Sequence, residues 1–234
     1  MRKRGFMIWG LACLVISIAG FWPTYFAPII AGTYTDAVPL MPWHVLGMGL
    51  WVVLIASQPA LVAIGRTDLH RSIGVFGAVV ALGVVITGTI VQLDAMALHA
   101  GLDNTGDAVI TPFFRLVTLL VFAVCVIAAL VRWNRSDWHK RLMLLGTFSL
   151  LEAPLSRFYS NVLGLGDNSG LLAAVSHAVL MIIFLIWDRR TLGRFHPVTL
   201  WGTILITLII FGTAPIAFSA WWADVAATLA ATAN

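Results

Sequence analysis

Apolar residues run along this chain in long unbroken blocks, separated by short polar stretches rich in arginine, aspartate and histidine. A bilayer core about 30 Å thick needs about 20 apolar residues at a rise of 1.5 Å each, and the blocks reach that length. They predict seven transmembrane helices, at about 6–31, 43–65, 70–93, 112–132, 138–159, 169–188 and 197–219. Apart from the stretch at about 94–111 the connections are short, which leaves no room for a soluble catalytic domain. The expected fold is therefore all-α, a polytopic membrane helical bundle, with residues 1–234 forming a single membrane domain.

Composition agrees: 60% of the 234 residues are hydrophobic and 10% charged, against about 25% charged in an average soluble domain. The net charge of +4 would suit a nucleic-acid partner if it were spread over a surface, but it is sorted by position. With the N-terminus cytoplasmic, twelve of the fourteen basic residues fall in cytoplasmic connections, and Arg115 and Arg157 alone lie toward the far side. This is the positive-inside pattern. It implies the lipid bilayer as partner, no nucleic acid, and a bacterial inner membrane as location. The basic Met1–Arg4 segment and the apolar run after it resemble a signal peptide. No small-residue cleavage site follows, and the run continues through Phe21, Trp22, Tyr25 and Phe26, so a retained first helix is expected. Cys13 and Cys125 lie within spans as small apolar residues. A retinal Schiff base is excluded, since Lys3 and Lys140 both sit at the cytoplasmic edge.

Two cytoplasmic turns are built alike: Arg66-Thr-Asp-Leu-His-Arg71 and Arg135-Ser-Asp-Trp-His-Lys140, with a weaker echo at Arg194-Phe195-His196. Asp68 and Asp137 are expected to cap the helices that follow. Arg71, Lys140 and Arg141 then place positive charge at the positive end of a helix dipole, so an anion should offset them: lipid phosphate at the surface, or a ligand group such as a haem propionate.

Ionisable residues within a bilayer are costly and mark candidate sites. His44, Trp51 and Gln58 recur at intervals of seven, forming one polar seam down the second span; its structural reading is interhelical bonding. The outer half also collects His177, Glu152, Arg115 and Arg157, and Pro154 is expected to kink the fifth span toward a cavity. Here the structural reading is buried Arg–Glu pairs that neutralise one another. His99, among Asp94, Asp103 and Asp107 in the long outer connection, belongs to a composition that could hold a cation but more often is a solvated loop, and His196 reads as a cap-region residue.

The other four histidines fall into two leaflets, His44 with His177 outside and His70 with His139 inside. Each low-spin haem takes one axial ligand from each of two facing helices, so this is the arrangement a bis-imidazole haem protein needs. Gly47, Gly49, Gly74, Gly83 and Gly88 would admit a macrocycle or another helix close to the backbone.

Trp43-His44, Trp51, Gln58, Arg66, Asp68-Leu69-His70-Arg71-Ser72-Ile73-Gly74 and Trp138-His139-Lys140-Arg141-Leu142-Met143-Leu144-Leu145, with Arg157, resemble the signature of a widespread, uncharacterised bacterial family of multi-pass membrane proteins. That resemblance covers the second to sixth spans and implies shared architecture without an activity. Paired histidines across helices are loosely similar to transmembrane di-haem b-type cytochromes, although here they fall on spans two, three, five and six rather than on four consecutive helices. The leading expectation is a haem b-binding membrane redox protein that exchanges electrons with quinone or a redox partner. In it the two histidine pairs are iron ligands, Arg71, Lys140 and Arg141 face the inner propionates, and Arg115 and Arg157 the outer ones. The alternative is a transporter or accessory protein with an outer His/Glu/Arg site and no cofactor.

Overall fold

In a computed structural model, which describes residues 2–35, 38–99 and 107–232, all regular structure is helical. Helix α1 (Arg2–Phe21) continues through a π turn at Trp22–Phe26 into a short helix, Ala27–Ala31. Then come α2 (Met41–Ala63), α3 (Thr67–His99), α4 (Asp107–Val131), α5 (Ser136–Ser149), α6 (Glu152–Asn161), α7 (Ser169–Leu192), α8 (Pro197–Gly212) and α9 (Ala220–Thr232). The chain is a polytopic helical membrane protein: six helical stretches among the described residues are individually long and apolar enough to cross a bilayer. "Inner" and "outer" below denote the ends of the bundle near to and far from the N-terminus.

The fifth expected span is two helices rather than one. α5 ends at Ser149, with Leu150 as its C-cap, and α6 begins with Glu152 in its first turn. Pro154 lacks the N–H that would bond the carbonyl of Leu150, so the ladder cannot run on. The pair nonetheless covers the length of α7. Arg141 of α5 meets Asp188 near the inner end of α7, and the Tyr159 hydroxyl of α6 lies 2.6 Å from that of Ser176 near its outer end.

The core follows from close approaches and aromatic packing. Phe6 and Trp9 of α1 pack edge-on against Phe184 and Trp187 of α7, and Trp9 also meets Phe148 of α5. Gly10 and Gly20 bring α1 against the backbone of α2 at Ile55 and of α6 at Pro154, where a Cβ would run into a carbonyl oxygen. On the other side α2 packs along α3, and α3 along α4.

The connection expected to be long is mostly helix. With 33 residues, α3 is about 50 Å long, which exceeds the apolar core of a bilayer. Asp94 therefore ends the apolar run but not the helix. The overhang is covered by α9, an element the hydrophobic blocks did not predict. Met96, Val109, Phe113 and Trp222 form a second small core there, and the Trp222 indole N–H donates to the Val109 carbonyl at 3.0 Å. Asp103 lies outside the described residues, as do the side chains of His99 and Asp107.

Candidate functional site

Three polar regions emerge from this packing. At the inner end, Arg141 is buried and makes a two-pronged ion pair with Asp188, its Nε and Nη2 donating to the carboxylate oxygens at 2.9 and 2.6 Å. Its remaining Nη1 donates to the Asp137 carbonyl, and the Thr199 hydroxyl donates to Asp188 at 2.7 Å. The anion that offsets Arg141 is thus an internal carboxylate. Asp188 escaped the sequence reading because the neighbouring Arg189 and Arg190 made the segment look like an ordinary basic helix end.

Asp137 stands in the first turn of α5 and is not its N-cap; Arg135 occupies that position and makes no side-chain capping bond. The carboxylate instead accepts from His196, whose Nδ1 takes the Val198 N–H and so leaves Nε2–H as the donor, at 3.2 Å. Burial pulls the His196 pKa below its ordinary value, with the Asp137 hydrogen bond opposing it. For Asp137, burial raises the pKa, but His196 and backbone N–H groups outweigh it and the net direction is down. His196 is the cap of α8, as expected. In the matching turn Asp68 pairs with Arg66 on the surface at 3.2 Å.

Near this network lie His70 and His139, at the starts of α3 and α5. Their ring centroids are 6.4 Å apart with planes at 89°. The Nδ1–H of His139 donates to the Ala129 carbonyl at 2.9 Å, since a carbonyl can only accept. His70 Nδ1 is buried with no partner among the described residues. Arg71 is exposed, and the Lys140 ammonium sits 4.5 Å from the centre of the Phe6 ring.

The third region is a cavity of about 830 Å³ in the outer half, enclosed by α1 and its π turn, α2, α3, α4 and the α5–α6 break. His44, Gln92, Arg115 and Arg157 line it among mainly apolar side chains, and Leu150 and Ala153 place the helix break at its wall, where Pro154 was expected to open one. The Thr87 hydroxyl gives its one proton to the Gly83 carbonyl at 2.7 Å. His44 Nδ1, 3.1 Å from that oxygen, is therefore the donor, and the proton-free Nε2 makes no hydrogen bond among the described residues. A Cβ at Gly88 would come within 2.9 Å of the His44 ring, and one at Gly47 within 3.3 Å of Val84, so the expected close approaches occur there; Gly49, Gly74 and Gly83 face open space.

Glu152 interacts electrostatically with both Arg115 and Arg157, but no ion pair joins them among the described residues, whose pairs are Arg66–Asp68, Arg141–Asp188 and His196–Asp137. The Arg157 guanidinium lies 5.2 Å from the Phe21 ring centre, and its Nε is buried without a hydrogen-bond partner among the described residues. Full neutralisation by close Arg–Glu pairs is not what the geometry shows.

Two other candidates go elsewhere. His177 is buried against α5 near the Phe148 backbone, with neither ring nitrogen in hydrogen-bond geometry with a partner among the described residues, and is not among the cavity-lining residues. The outer histidines thus have different surroundings. The seam divides as well: Trp51 donates to the Thr147 hydroxyl at 3.2 Å, bonding α2 to α5, while the Gln58 amide is buried with no partner among the described residues. Among the described residues no group of three or more histidine, cysteine, aspartate or glutamate side chains is placed to hold a metal ion. Comparison with known protein families, curated proteins and solved structures finds no match for this chain.

Proposed function

We propose that the chain is a redox protein of the bacterial inner membrane that binds haem b at the inner histidines, His70 and His139. What carries this reading is the approach of the two rings. A metal bonded to one nitrogen of each imidazole at about 2 Å would hold the ring centres about 6 Å apart, close to the separation seen. The bond from His139 Nδ1–H to Ala129 is of the kind that orients a ligating imidazole and leaves its other nitrogen free. Arg71, which is exposed, and Lys140, beside the Phe6 ring, are the cations that would face propionates at this end, because Arg141 is committed to Asp188. The cytoplasm lies on the side of the basic turns, and quinone or a redox partner receives the electron. The resemblance to the uncharacterised multi-pass family belongs to this same proposal.

The test is a reduced-minus-oxidised visible spectrum, with an iron assay, on protein made with an ample haem supply. We expect b-type bands at about one haem per chain, lost in His139→Ala and in His70→Ala but kept in His177→Ala. A colourless, iron-free protein would sink the reading.

A second reading is a transporter or accessory protein that works at the outer end without a cofactor. The observation in its favour is that His44, Arg115 and Arg157, distant in sequence, share one cavity.

A further inference from the structure

We propose that the outer cavity binds an amphiphile with a single carboxylate head and an apolar body, a long-chain fatty acid in class, taken up from the bilayer. The inference rests on the second reading above and is independent of haem at the inner pair.

Size and lining give the body of the ligand. The cavity of about 830 Å³ falls within the range of pockets that hold small organic ligands. Its walls are mainly side chains such as Leu14, Ile18, Met48, Val53 and Leu119.

The charge comes from the arginines. Arg115 and Arg157 both line the cavity, and neither forms an ion pair among the described residues. A cation held in a bilayer without a close counterion is costly. Two guanidiniums exceed the one carboxylate of Glu152 even when it is ionised, so at least one positive charge is uncompensated and an anion balances the site. A guanidinium offers two parallel N–H donors to a carboxylate, and Gln92 and Thr111 supply further polar atoms in the wall.

The route of entry follows from two residues of the lining. Ile18 and Val53 are 41% and 52% exposed, on helices whose outer surface faces lipid. The cavity is therefore continuous with the membrane-facing surface, and a ligand that partitions into lipid reaches it without crossing water.

The probe is parinaric acid, a fluorescent polyene fatty acid, titrated into the detergent-solubilised full chain and read by energy transfer from tryptophan. We expect saturable transfer, displaced by palmitate and at least about tenfold less well by hexadecanol, which has the same chain and no charge. Arg115→Gln should weaken binding at least about tenfold, the scale of one lost charge-assisted hydrogen bond. Gly49→Leu is a second variant that leaves both arginines in place. Gly49 lines the cavity and a Cβ there meets nothing within 4 Å, so a leucine fills the space without displacing backbone, and transfer should be lost. Equal displacement by hexadecanol, or unchanged affinity in a folded Arg115→Gln, overturns the carboxylate assignment while leaving an outer site standing. No saturable transfer above a chain-free control removes the site itself, and the second reading with it.

Discussion

Arg141 and Asp188 form the most buried ion pair among the described residues, with both side chains at most 3% exposed. Each was brought out of water at a desolvation cost that the other offsets in the main, with help from the Asp137 carbonyl on Arg141 and the Thr199 hydroxyl on Asp188. Removing one partner strands a bare charge, whereas removing both leaves an apolar contact of similar volume. We expect Arg141→Met alone and Asp188→Leu alone each to cost about 3–5 kcal/mol of stability and the two together to cost much less, measured by thermal unfolding in detergent as a double-mutant cycle. Additive losses would mean that the pair is not coupled. Sequence made half of this contact legible. A basic residue after the Asp-Trp-His-Lys run demanded an anion, but α7 had to fold back along α5 before Asp188, 47 positions away, could be seen to supply it. The same limit applies to the outer cluster. Arg115, Arg157 and His44 could be placed in one leaflet by counting along helices, but which of them share a cavity depends on helix rotation, and His177, in that leaflet too, faces elsewhere.

Among the elements, α1 is the one on which the bundle turns, since it touches α2, α5, α6 and the aromatic rings of α7. Two of its glycines make this possible. A Cβ on Gly20 would meet the carbonyl of Pro154, which is backbone and cannot swing aside, whereas a Cβ on Gly49 of α2 meets nothing within 4 Å. Gly20→Ala should therefore lower the thermal unfolding temperature, while Gly49→Ala should hold or raise it, since alanine favours a helix over glycine by about 1 kcal/mol. The reverse order would show that α1 does not pack against α6 through Gly20. Helix existence was legible because block length alone identifies a span. Where a span breaks was legible only in part: Pro154 pointed to a disturbance, but the end of α5 at Ser149 and the fresh start of α6 at Glu152 depend on the missing N–H and on the packing of Gly20 against Pro154. The helix α9 was missed because its alanine-rich run after Trp221 and Trp222 is too short and weakly apolar for a span, and the overhang of α3 that it covers was read as loop.

At the scale of the whole molecule, the number of crossings depends on the broken pair α5–α6. Each half is too short to span a bilayer, 14 and 10 residues where about 20 are needed, so a chain that turned back at Leu150 would put its following loop on the inner side and reverse α7 and α8. The contacts argue against a return. Arg141 reaches Asp188 and Tyr159 reaches Ser176, so the pair runs antiparallel to α7 over most of its length, and α7 ends at Gly193, with φ 75°, beside the basic Arg189 and Arg190. Single cysteines decide this. Asn134, in the turn before α5, and Leu163, just after α6, are both exposed, whereas native Cys13 is buried. With Cys13 and Cys125 replaced by alanine, Asn134→Cys should react with a membrane-impermeant maleimide only in inverted vesicles and Leu163→Cys only in intact cells. Labelling of both from the same side would make the break a re-entrant turn. The cavity would then lose the wall formed by Ala153 and Arg157, so the sidedness of these two positions bears on the outer ligand site as directly as on the topology.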